Sequence, residues 1–157
     1  MRFYRVAVLV QLFLLSVNFL FSQKHETSLF EKSKGKLSFP VCTIYGYKDT
    51  RCFKYGKLVP GSKNISFVTD SAAEVRAIYN GRVYKIFTIE NDYAVVTNFG
   101  DYFITYYPLK QTRLKKGDTI ISGQPISKVG YLDNAREINI LISKSTNFID
   151  PYKWFRW

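Results

Sequence analysis

From Leu37 to the C-terminus the chain is a succession of short β-branched and aromatic runs, each cut off within a few residues by a turn signal. The runs are Ile65–Thr69, Glu74–Tyr79, Gly81–Ile89, Tyr93–Thr97, Tyr102–Tyr107, Asp118–Ile121, Pro125–Val129 and Glu137–Ile142. Between them stand Asn80-Gly81, Glu90-Asn91-Asp92, Phe99-Gly100-Asp101, Lys116-Gly117-Asp118 and Ser122-Gly123-Gln124. Turns roughly every 8–12 residues, with no amphipathic helix between strands, are what a β-sandwich or barrel needs and a parallel α/β sheet cannot use. Aromatic residues form 17% of the sequence, enough to fill such a core. The expected class is all-β and mostly antiparallel. Val75, Ala77 and Tyr79 alternate with Glu74, Arg76 and Ile78, and Asn80-Gly81 follows, so a tight hairpin is expected to join this run to Val83–Phe87.

Ahead of this region lie two segments of different character. Residues 1–22 carry Arg2 and Arg5, an apolar stretch from Val6 to Phe21 and a small residue at Ser22, the pattern of an export signal. The stretch is short for a membrane span. Cleavage after Ser22 is expected, with an uncleaved anchor as the alternative and the only route to membrane attachment. Residues 23–36 are polar and densely charged and read as a linker, which leaves 37–157 as one β domain. Cys42 and Cys52, the two cysteines, form a candidate disulfide in an exported chain, against two buried free thiols.

Several chemistries lack their residues. The one histidine is His25, in the linker stretch, so neither a histidine-bound catalytic zinc nor a Ser-His-Asp arrangement can be assembled in the β domain. The one S-x-x-K spacing, Ser33 with Lys36, also falls in the linker. Glu74 and Glu137 are the best-placed pair for two-carboxylate chemistry, and Gly-rich phosphate loops are missing. The formal net charge is +11, or +9 once Arg2 and Arg5 are set aside. Export argues against nucleic acid as the partner of that charge and favours anionic wall polymer, headgroups or an acidic protein.

The order of short motifs then becomes specific. Gly35-Lys36-Leu37-Ser38-Phe39-Pro40-Val41 resembles the opening of LytM-type, lysostaphin-like peptidases, the M23 zinc metallopeptidase family. Val75–Val83 resembles their V-x-A-x-x-x-G-x-V element, and Tyr106-Tyr107-Pro108-Leu109 their Y-x-H-L strand end. Leu114–Gly130 is similar to V-x-x-G-x-x-V-x-x-G-Q-x-I-G-x-V-G, and Ile138–Ile142 with Ile149–Trp154 to L-H-F-E-I followed by a D-P motif. The resemblance implies a LytM-type (duplicated-hybrid-motif-like) β-sandwich.

It also implies where zinc and catalytic histidines would stand, and each position holds something else. The H-x-x-x-D pair falls at about Ser62 and Ser66, the x-H-L histidine on Pro108, and the H-x-H pair on Glu137 and Asn139; Thr97 or Asn98 stands where another strand histidine is common. The expected protein is therefore an inactive, exported, periplasmic or secreted bacterial envelope module with no cofactor. It would bind peptidoglycan or a protein partner, with regulation of a cell-wall amidase and an atypical-ligand metallopeptidase as alternatives. Ser62, Ser66, Thr97, Tyr106, Pro108, Glu137 and Asn139 are the candidate groove residues, and Arg76, Arg82, Lys110, Arg113, Lys115 and Lys116 the candidate basic surface.

Overall fold

A computed structural model describes residues 24–41, 55–58, 63–69, 72–132 and 135–157. Residues 1–22, read as an export signal, Cys42, Cys52 and Ser62 lie outside the described residues. Ten strands follow one another: β1 (Tyr55–Leu58), β2 (Asn64–Thr69), β3 (Glu74–Arg76), β4 (Gly81–Ile89), β5 (Asp92–Phe99), β6 (Tyr102–Leu109), β7 (Thr119–Ile120), β8 (Pro125–Lys128), β9 (Arg136–Lys144) and β10 (Asn147–Ile149). Eight form one open sheet in the order β1-β2-β9-β6-β5-β4-β7, with β10 paired to β9 beside β2; β3 and β8 form a second, two-stranded sheet. Every strand pair is antiparallel, as the class expected from sequence requires.

Alternation fixes which face of the large sheet is covered. Along β6, Tyr102, Ile104 and Tyr106 are buried while Phe103, Thr105 and Tyr107 are half-buried. Register extends the buried row to Ile140 and Ile142 on β9, to Ile65 on β2 and to Val95 on β5. Val75, Ile126 and Val129, from the small sheet and the residue that follows it, belong to the same core. Burying one aliphatic side chain of this size contributes about 1.5–3 kcal/mol, so this row is the main source of the fold's stability.

Two expectations are corrected. The β3 run does not fold back on β4; it pairs with β8, Val75 opposite Ser127. Beyond it, Ala77 N–H donates to Gln124 O at 2.9 Å and Ile78 N–H to the Tyr106 hydroxyl at 3.0 Å. Residues 77–80 therefore carry the chain from one sheet to the other. Gly81 is needed there for close approach rather than for a hairpin turn, since a Cβ would lie 2.7 Å from Asn98 O.

The polar linker is the second correction, because residues 24–32 are α-helical (α1) and docked. Phe30 is fully buried, stacked on Trp154 with centroids 4.0 Å apart and packed against Tyr79, Phe99 and Tyr102. Glu26 accepts from Gly100 N–H at 3.0 Å and Thr27 from Asp101 N–H at 3.1 Å, tying α1 to the β5–β6 turn. One large anchor gives no apolar stripe of helical period, so the charged composition dominated the sequence reading. The chain leaves α1 through Leu37, whose N–H donates to Trp154 O and whose carbonyl accepts from Arg156 N–H, both at 3.0 Å; this is a parallel bridge to Phe155. Trp154 ends a 3-10 turn (Pro151–Trp154) that Asp150 caps by accepting from Tyr152 N–H.

Candidate functional site

Seven residues were expected to line a groove; Ser62 is outside the described residues, and the register divides the other six. Ser66 and Asn139 stand opposite one another on β2 and β9, and Glu137 stands two residues along β9 from Asn139, opposite Val68. The period of two puts Asn139 and Glu137 on one face, away from Ile138 and Ile140. Tyr107 on β6 lies opposite Asn139 from the other side, so Ser66, Asn139 and Tyr107 form one row across three strands.

Inside this row the polar groups satisfy each other. The Ser66 hydroxyl donates to Asn139 Oδ1, and Asn64 Nδ2 donates to the same oxygen at 3.3 Å. Ser66 and Asn139 are both buried, so this bonding offsets the cost of desolvating them. Glu137 is half-buried and makes no ion pair among the described residues. Asn64 was missed by the sequence reading, although the alternation Asn64-x-Ser66 puts both residues on one face.

Thr97 and Tyr106 do not line this face, which corrects their assignment to the groove. Thr97 stands opposite Ile104 and Tyr106 opposite Ile140, in the core row, and both are fully buried. Burial pushes the Tyr106 phenol far above its ordinary range, and its oxygen accepts from the Ile78 backbone. Tyr106 thereby ties the crossing segment to the large sheet. Pro108 is buried as well, its peptide with Tyr107 is cis, and its carbonyl accepts from Gly130 N–H at 3.0 Å. A Cβ on Gly130 would lie 2.9 Å from Pro108 Cβ. Proline here is a packing element with no side-chain donor.

The candidate basic surface divides in the same way. Arg76 is bound to Glu74 and donates to Gly123 O at 2.7 Å, and Lys110 bonds Asp92 at 2.6 Å. Arg82, Arg113, Lys115 and Lys116 are exposed and form no ion pair among the described residues.

These residues do not fit a zinc ion. Zinc in proteins takes thiolate, imidazole or carboxylate. The face offers a neutral hydroxyl, an amide oxygen already accepting two hydrogen bonds, and one carboxylate. Among the described residues no three His, Cys, Asp or Glu side chains group to hold a metal. His25 is exposed on α1.

No protein-family model matches the sequence, and no curated protein matches it. Solved structures do. Csd3 from Helicobacter pylori aligns with a TM-score of 0.58 at 19% identity, over 77% of this chain and 35% of that one. A chain of the SpoIIQ–SpoIIIAH pore forming complex aligns with a TM-score of 0.57 at 19% identity, over 76% of this chain and 90% of that one. Lysostaphin, the antimicrobial peptidase from Staphylococcus simulans, aligns with a TM-score of 0.55 at 16% identity, over 68% of this chain and 50% of that one. This chain thus spans about a third of Csd3 and half of lysostaphin. Together with the strand order and register, the likeness identifies the fold as LytM-like, the scaffold of lysostaphin and the M23 peptidases.

Proposed function

We infer that this chain is a non-catalytic module of the bacterial cell envelope that binds a protein partner or peptidoglycan through the face carrying Ser66, Glu137 and Asn139. The observation that carries this reading is the Ser66–Asn139 pair. Where the resemblance puts metal ligands, two neutral side chains hydrogen-bond to each other instead. Export rests on the signal pattern of residues 1–22; among the described residues no helix is long and apolar enough to cross a membrane. The likeness to a chain from a pore forming complex supports a protein partner, and the likeness to a peptidase supports wall peptide. A cell-wall amidase is the enzyme class whose regulation would suit such a module.

The test combines three measurements on the purified protein. Metal analysis is expected to find zinc far below one per chain, and muropeptides to remain uncut. Pull-down from envelope extract, run beside co-sedimentation with isolated sacculi, separates a protein partner from wall polymer. Glu137→Lys is expected to reduce whichever capture is real while leaving the melting temperature within about 1 °C, because Glu137 makes no ion pair among the described residues. Stoichiometric zinc with muropeptide cleavage abolished by chelation would overturn the reading.

A further inference from the structure

Among the described residues, the outer edge of the large sheet at β4 is unpaired along most of its length. β7 pairs only with Gly81 and Arg82, and the turn preceding it adds Val83, whose N–H donates to Asp118 O and whose carbonyl accepts from Gly117 N–H, both at 2.8 Å. From Tyr84 to Ile89 no described residue bonds the outer side. That stretch reads Tyr-Lys-Ile-Phe-Thr-Ile, strongly β-forming and free of proline, with Lys85 its only charge. Tyr84 is 50% exposed, Phe87 41% and Ile89 43%. Sheet edges are ordinarily protected by proline, inward charge, bulges or a covering segment. Here the bulge falls at Tyr84, between Val83 and Lys85, and leaves Lys85–Ile89 in regular register.

The edge is also polarised. At its start stands the exposed Lys115-Lys116 turn, with Arg82 beside it; at its end stands the exposed Glu90, held in the turn to β5 at φ 54°. We propose that this edge pairs with the same edge of a second copy of the chain, giving a two-fold dimer with a continuous sheet. Antiparallel strands alternate hydrogen-bonded and non-bonded pairs, so a two-fold axis must pass beside a residue that meets itself. Centring the pairing on Thr88 puts Phe87 opposite Ile89 of the second copy, and the ladder ends where the second copy turns at Glu90, beside Ile86. Lys85 then lies beside the Glu90–Asn91 turn of the second copy and meets no like charge. Glu90 of the second copy falls three residues along from Val83, about 10 Å, and the lysine and glutamate side chains span that gap to the Lys115-Lys116 turn. The two-fold repeats this contact at the other end.

Sedimentation of the purified protein over a concentration series tests the proposal. A monomer–dimer equilibrium is expected, weakened by salt. Phe87→Lys and Ile89→Lys, both at exposed positions, are expected to leave the circular dichroism spectrum unchanged and abolish the dimer. Glu90→Lys is expected to weaken it about tenfold, and adding Lys115→Glu with Lys116→Glu to restore it. A protein monomeric at every concentration overturns the proposal, as does a dimer indifferent to Phe87→Lys or unrescued by the charge swap. Protection of the β4 amides from exchange by an added envelope extract, in a chain that stays monomeric, would assign the edge to a foreign strand and overturn it too.

Discussion

Tyr106 and Asn139 sit on adjacent strands of one sheet and point to opposite faces. Tyr106 reaches across the core to the Ile78 backbone and ties the segment that crosses between the sheets to the large one. Asn139 is bonded by Ser66 and Asn64, both on the strand next to its own. One face is constrained by volume and by backbone groups that must be paired; on the other, the buried polar side chains need only satisfy one another. A chain can therefore change every ligand position on the second face and still fold, provided the replacements satisfy one another.

Substitutions on the two faces should separate in size. Phe30→Ala removes the ring that four aromatic neighbours enclose and is expected to cost about 3–5 kcal/mol, read as a lower denaturation midpoint. Tyr106→Phe leaves the Ile78 N–H buried without its acceptor and should cost about 1–3 kcal/mol by the same measurement. Ser66→Ala, on the other face, leaves Asn139 Oδ1 its bond from Asn64 and should cost about 0.5–1.5 kcal/mol. If it proves more damaging than Tyr106→Phe, the contrast between the faces is wrong.

The smallest effect concerns pH and the docking of α1. Hydrogen bonds from Lys144 and Tyr102 hold the Glu31 carboxyl below its ordinary value. Its contribution is present above the ordinary glutamate range and is lost as pH falls through the lowered value. Burial, and then Glu31, raise Tyr102, while the bond to Glu31 raises Lys144. Their contributions are present below the ordinary tyrosine and lysine ranges and are lost as pH rises through the raised ones. A plateau between the two limits is expected in Trp154 fluorescence, with shifts outside it as Phe30 leaves the indole. Because Glu31 and Lys144 are exposed, the shifts should shrink in salt.

Local pattern decided what could be read from sequence. The bounds of β4, Gly81–Ile89, follow from an uninterrupted β-forming run between two turn signals, and β2 and β8 came out within one residue of their expected ends. Asn80-Gly81 misled because the same dipeptide serves a hairpin or a crossing, and only the distant β8 decides between them. In the site, motif order found Ser66, Glu137 and Asn139 one at a time. Their meeting depends on β2 pairing with β9, two strands far apart in sequence. Thr97 and Tyr106 were assigned to the groove from motif position, whereas the alternation of their own strands sets Thr97 beside Val95 and Tyr106 beside Ile104 in the core row. Phe30 was missed for a different reason, since a single anchor leaves no period to detect.

The two hydrogen bonds between Leu37 and the segment Trp154–Arg156 also have a mechanical meaning. They fasten the strand leaving α1 to the last residues of the chain, so tension applied between the two ends meets this clasp and the Phe30–Trp154 stack before it reaches the large sheet. Because the bridge is parallel, a pull along it shears both bonds together instead of opening them one after the other. The β domain is in this sense a buckled loop, which carries a load between its ends without first unravelling the Ser66–Asn139 face.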